Sequence, residues 1–218
     1  MTNDLPEHLV AGQLDSVSRS VTSRRGESTV TSTLEISQVY PTDAADLWDA
    51  VTTAERLARW FAPVHGDLRL GGSYQVEGNA GGVVQTCEPP SRFTATWVMG
   101  EPASLIDVRV EPVDEHSARL RLIHSGEGDA GFWDTYGPGA LGVGWDLGLL
   151  GLAGYLATGD TGRPADVEAW GAGEQARRFI TGSSTRWVAA AVAGGEEPET
   201  ARAAGERTTA FYTGQPPA

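Results

Sequence analysis

The chain has 218 residues, 40% of them hydrophobic, and a formal charge of −13 from 29 acidic and 16 basic residues. That balance supports one ordinary core with a helical appendage, or two small domains, and it opposes bulk electrostatic binding to nucleic acid or an anionic membrane. Every basic residue is arginine, which excludes lysine Schiff bases and phosphate-binding lysines, and the single cysteine, Cys87, rules out an intrachain disulfide or a multi-cysteine metal site.

The start, Met1-Thr2-Asn3-Asp4, is polar rather than basic-then-apolar, and no run is expected to reach bilayer-crossing length, so a cytoplasmic location is the default expectation. Residues 5–19 predict a short helix capped by Asn3 or Asp4, with Pro6 in its first turn and Leu9, Leu14 and Val17 as apolar positions. The polar stretch Ser18 to Ser28 reads as a connector. From Thr29 the pattern becomes that of a strand, with Val30, Leu34, Ile36 and Gln38 on one face and Thr31, Thr33, Glu35 and Ser37 on the other. Pro41 ends it. Thr42 or Asp43 can cap a helix carrying Leu47, Trp48 and Val51, and Thr53 can open a second with Leu57, Trp60 and Phe61, stopped by Pro63.

Short turn-linked strands follow: Leu68 to Leu70; Tyr74 with Val76; Val83 to Cys87; Phe93, Ala95, Trp97 and Met99 on one face; Ile106, Val108 and Val110; and Ala118, Leu120, Leu122 and His124. Their spacing favours an antiparallel meander over a parallel βαβ sheet. Pro138 opens a long helix to about Leu156, whose two apolar stripes imply burial on more than one side. It is expected to plug the sheet on one side and to meet the tail or a second subunit on the other. After a linker at 158–164, helices are expected at Ala165 to Ile180, Ser183 to Ala193 and Pro198 to Tyr212, punctuated or interrupted by Gly182, Gly194-Gly195 and Gly205.

The ordered combination of Ala44-Ala45-Asp46-Leu47-Trp48-Asp49-Ala50-Val51, Arg59-Trp60-Phe61-Ala62-Pro63, Gly66 through Tyr74, Trp97 and the Gly144-Trp145 helix resembles the Hsp90-ATPase-activator-like branch of the START and Bet v 1-like superfamily. The resemblance covers roughly 120 residues and implies an α+β helix-grip fold, a curved antiparallel sheet around a long C-terminal helix, with a cavity between them. The expected organisation is an N-terminal helix and connector at 1–28, the helix-grip domain at 29–158, and a helical extension at 159–218 packed on it.

On that frame Trp97, Met99, Leu120, Leu122, Trp145 and Leu149 can form an apolar wall, with Tyr74, Gln85 and His124 as polar anchors, although the same apolar residues would also serve a closed core. Trp60 and Phe61 fit packing against the sheet rim better than ligand contact. His124 and Asp146 are the candidate acid/base groups, each with a structural alternative, a hydrogen bond at the sheet end for His124 and a cap or ion pair for Asp146. The segment Glu127 to Asp134 offers carboxylates and aromatics for a gate or a cation at the cavity mouth, but matches no EF-hand. Its glycines are explained by a turn alone. No cofactor and no metal site are expected: the four histidines form no zinc motif, and no dinucleotide fingerprint or nucleophile elbow is present.

Three functions follow: a soluble binder of a small hydrophobic or aromatic molecule; a pocket enzyme using acid/base chemistry for cyclisation, hydration or hydrolysis; and a co-chaperone-like interaction module. A homodimer through the terminal helix and tail is compatible with each.

Overall fold

The computed structural model describes residues 5–100, 102–164 and 167–215. Helix α1 (Glu7–Gln13) precedes two long strands, β1 (Val17–Arg25) and β2 (Thr29–Tyr40), then helices α2 (Ala44–Thr52) and α3 (Ala54–Trp60). Six strands follow: β3 (Val64–Gly66), β4 (Ser73–Val76), β5 (Gly81–Glu88), β6 (Arg92–Trp97), β7 (Ser104–Asp114) and β8 (Ser117–Asp129). The chain ends in five helices, α4 (Ala130–Tyr136), α5 (Gly139–Thr158), α6 (Val167–Gly171), α7 (Glu174–Ala193) and α8 (Pro198–Thr213).

All neighbouring strands are antiparallel, in the order β1-β2-β8-β7-β6-β5-β4-β3. The sheet is curved and unclosed, and α5 lies on its concave face. The period-two alternation sets the register. Leu34 sits opposite His124, which in turn faces Ile106, and Ile36 sits opposite Leu122, so one row of side chains crosses three strands into the core. Asp43 caps α2 by accepting from the Asp46 backbone N–H at 2.8 Å.

Several expectations need correction. Ser18 to Ser28 is largely not a connector; it supplies most of edge strand β1, paired along its length with β2. Only Val17 and Val21 show its inward face as apolar, because the inward residue between them is Arg19, whose charge is compensated inside the protein. The first helix is confined to Glu7–Gln13, and its expected caps Asn3 and Asp4 lie outside the described residues. Leu68 to Leu70 is a loop, with the strand lying earlier at Val64–Gly66. That loop is docked on β5, where Gly71 N–H donates to the Val84 carbonyl and Val84 N–H to that of Gly72. Gly71 has φ +78°, a backbone that favours glycine.

Glu127 to Asp134 is neither a gate nor a cation loop. Residues 127–129 finish β8, Asp129 caps α4 by accepting from Phe132 N–H, and Asp134 pairs with Arg25. In the tail, Gly182 and Gly205 lie inside continuous helices α7 and α8 rather than breaking them; each allows a close approach, since a Cβ at Gly182 would collide with Leu14 and one at Gly205 with Val188. The expected helix start at Ala165 falls outside the described residues, and α6 begins at Val167.

Helix α5 has two packing jobs. One side faces the sheet and α3; the other receives α1, α7 and α8. Val143, Leu150 and Leu152 are fully buried, each such side chain contributing roughly 1.5–3 kcal/mol of burial free energy. Its glycines allow the close approach. A Cβ on Gly142 would overlap the Trp187 indole, and one on Gly151 would meet the Trp60 carbonyl. With 20 residues and a mean hydropathy of 1.4, α5 does reach bilayer-crossing length, contrary to expectation, but 56% of that window is buried within the fold. It is the core helix around which the other elements close.

The tail side of α5 contains a buried charge. Asp146 accepts from Arg19 Nη2 at 2.7 Å, from Ser183 Oγ at 2.5 Å and from Trp187 Nε1 at 3.0 Å. The Arg19 guanidinium also donates to the Leu14 and Val17 carbonyls. Beside it, Gln13 and Gln38 exchange amide hydrogen bonds at 2.7 and 3.1 Å. The half of the concave face next to β1 and β2 is therefore filled by the extension, and the half under β4–β8 is left for a cavity.

Candidate functional site

That cavity, about 540 Å³, lies between the concave face of β4–β8, the N-terminal half of α5 and the α2–α3 pair. The volume falls in the range of small-molecule sites. Each wall has a local cause. Alternation on β6, β7 and β8 aims Phe93, Ala95, Trp97, Ile106, Val108, Leu120 and Leu122 inward. Helices α2 and α3 add Trp48, Val51, Thr52, Leu57 and Trp60 together with Phe61 just beyond, and Arg56 fixes their angle to α5 by donating to Tyr155 Oη at 2.8 Å and to the Asp46 and Asp49 carboxylates. From α5 come Trp145, Gly148 and Leu149. Leu68 and Leu70 on the docked loop form part of the rim, and Leu70 is 66% exposed.

The deepest aromatic layer is built around His124. Trp145 stacks on Phe61 with 6.2 Å between centroids and an 11° tilt, and Trp97 lies 5.0 Å from Trp145. The indole N–H of Trp145 donates to His124 Nδ1 at 3.1 Å; an indole nitrogen can only donate, so Nδ1 is unprotonated. The ring is therefore the neutral Nε2–H tautomer. Its Nε2–H points to Ser104 Oγ at 2.7 Å, and that hydroxyl hands its own proton to the Trp97 carbonyl at 2.9 Å. Burial pushes the imidazole down to about 4. Both nitrogens of His124 are occupied, and it braces Trp97 and Trp145 without itself lining the cavity.

Of the other residues expected at the site, Tyr74, Trp97, Leu120, Leu122, Trp145 and Leu149 meet at the cavity. Met99 does not: it lies past the end of β6 and is 66% exposed. Gln85 is exposed because a bulge between Val84 and Thr86 resets the alternation, sending Val84 and Cys87 to the cavity side and Gln85 to solvent. Asp146 is on the opposite side of α5, in the ion pair with Arg19. Trp60 and Phe61, for which packing against the sheet rim fitted better than ligand contact, both line the cavity, and the Trp60 indole also donates to the Ala50 carbonyl. Among the described residues, no cluster of three or more histidine, cysteine or acidic side chains is arranged to hold a metal ion.

A family model described as "Activator of Hsp90 ATPase homolog 1-like protein" matches residues 41–157, from the end of β2 through α5. No curated protein matches the chain. Among solved structures, the crystal structure of CalU16 from Micromonospora echinospora is similar at 27% identity and a TM-score of 0.63, covering 80% of this chain and 97% of that one. The solution structure of the same protein gives 28% identity and a TM-score of 0.65, with 82% and 96% covered. The conserved protein EF2215 from Enterococcus faecalis shares the fold at 12% identity, with a TM-score of 0.58 over 87% of this chain and 98% of that one.

Proposed function

From the premise that the chain belongs to the activator of Hsp90 ATPase homolog 1-like family, we propose that it is a binding protein for a small hydrophobic or aromatic molecule held in the cavity beside α5. The observation that carries this reading is the wall itself. Seven aromatic side chains, Trp48, Trp60, Phe61, Tyr74, Phe93, Trp97 and Trp145, surround a space of about 540 Å³. Burying a ligand there removes apolar surface from water on both partners, at roughly 25 cal/mol per Å² before the cost of association. Binding rather than turnover is favoured by the state of His124, a neutral imidazole with both nitrogens engaged, so that taking a proton at Nδ1 would set two N–H groups against each other.

The test uses an uncharged polarity-sensitive dye such as Nile red, with the reactivity of the cavity-lining Cys87 thiol as a second reporter. Saturable one-to-one binding that slows Cys87 modification is the expected result. Linear, non-saturating fluorescence with unchanged thiol reactivity would sink the proposal.

Gly148 supplies a sharper version. A Cβ there would meet the Phe61 ring only at 3.7 and 3.8 Å, ordinary contact, and the position faces the cavity. Gly148→Leu is expected to occupy part of the empty space and weaken dye binding by about tenfold or more. Replacing a mid-helix glycine should also raise unfolding stability by about 0.5–1 kcal/mol. Unchanged affinity in a folded variant would place the dye elsewhere.

A further inference from the structure

The cavity wall is strongly biased in what it can offer a ligand's polar atoms. Among the described residues it contains no Asp or Glu, and the single charged one lining it, Arg69, stands at the rim with 85% of its side chain exposed and its guanidinium already paired with Asp67 at 2.8 Å. An ionised carboxylate or ammonium placed inside would lose its hydration with no counter-charge to replace it.

The hydroxyls on the wall have spent their protons. Tyr74 reaches across β5, over Gly82 directly opposite it, and donates to the Thr96 carbonyl at 2.7 Å; Thr52 donates to the Trp48 carbonyl at 2.7 Å. Burial pushes the Tyr74 phenol up to about 12, so it stays protonated at neutral pH. What each oxygen has left is lone pairs, which accept. A ligand oxygen that can donate matches this remaining capacity, which an ether or ketone, able only to accept, cannot use.

Building on the binding role proposed above, we infer that the cavity selects uncharged hydroxyl-bearing aromatic molecules, the phenol class, with the ligand hydroxyl donating to Tyr74 Oη. The experiment titrates the full chain at pH 7 by calorimetry with 2-naphthol, 2-methoxynaphthalene and 2-naphthoate, which share one ring system. Naphthol is expected to bind about fivefold more tightly than the methyl ether, as one net hydrogen bond would give. Naphthoate is expected to be weaker than either by about thirtyfold or more.

In Tyr74→Phe the fivefold preference disappears while the ether's own affinity is kept. The wild-type comparison stands by itself should that variant fold poorly. Naphthoate binding as tightly as naphthol, with the affinity lost in Arg69→Ala, would overturn the uncharged class and make Arg69 an anion anchor. Equal naphthol and ether affinities in the wild type would overturn the hydroxyl assignment, leaving the cavity as a site. Failure of all three to bind, together with non-saturating Nile red, would instead remove the binding role itself.

Discussion

Replacing Asp146 by alanine is expected to cost about 3–5 kcal/mol of unfolding free energy, because it leaves the Arg19 guanidinium buried without its counter-charge. The side chains of Arg19 and Asp146 are 4% and 1% exposed, so water cannot take the place of the missing carboxylate. Ser183 Oγ and Trp187 Nε1 lose their acceptor as well. A domain of this size has a net stability of roughly 5–15 kcal/mol, so the variant should unfold at a much lower urea concentration. The double change Arg19→Met with Asp146→Leu removes both charges and is expected to recover most of the loss, since burying an ion pair costs nearly as much desolvation as it returns in attraction. Urea midpoints followed by tryptophan fluorescence check both expectations. A loss below about 1 kcal/mol for Asp146→Ala would mean that α7 does not seal this pair from solvent.

His124 should make stability depend on pH in a window of its own. Its folded-state pKa is depressed to about 4 from an ordinary 6.5, so between those values the unfolded chain binds the proton that the native protein refuses. Stability is therefore fully present above pH 6.5, falls as the pH drops from 6.5 to 4, and has lost roughly 3 kcal/mol to this residue by the lower end. Burial raises the Asp46 and Asp107 carboxyls, but their partners more than offset it, Arg56 and Thr42 for Asp46 and Arg109 and Arg92 for Asp107; at Asp49, Thr53 and Arg56 outweigh burial, so all three pKa values are lowered. Their contribution is lost only as the pH falls below the usual carboxylate range, so the two effects separate along the pH axis. His124→Gln replaces the imidazole with a non-titrating group able to accept from Trp145 and donate to Ser104. It should flatten the curve between pH 6.5 and 4 while leaving the steeper fall at lower pH. A slope that survives the substitution would assign the effect to another group.

Both residues show where sequence stopped being informative. The alternation Ala118, Leu120, Leu122, His124 places His124 on the inner face of β8, and the structure puts it there. Whether that imidazole meets a ligand or a neighbour depends on Trp145 and Ser104, which lie 21 and 20 residues away in the chain. Asp146 is one residue from a cavity wall, yet a helix turns about 100° per residue and sends it to the other side of α5. Its partner Arg19 lies in a stretch too polar to announce a strand, because the apolar signal of an inward face is interrupted by the arginine that neutralises the aspartate. Gln85 shows the complementary case: counting by twos fails at a bulge, which depends on how β5 meets β6 rather than on either segment alone.

Local chemistry by itself therefore determined most of the element types, the antiparallel meander, the long two-faced helix and most of the inner rows, since these depend on periodicity, prolines and caps acting within a few residues. It also determined much of the aromatic character of the cavity. Only the tertiary structure decided that β1 is a strand, that the tail fills one half of the concave face and leaves the other open, and that His124 is a brace. Those outcomes depend on partners 20 to 127 residues apart, and long-range pairing of buried charges and hydrogen bonds leaves no periodic trace in the chain.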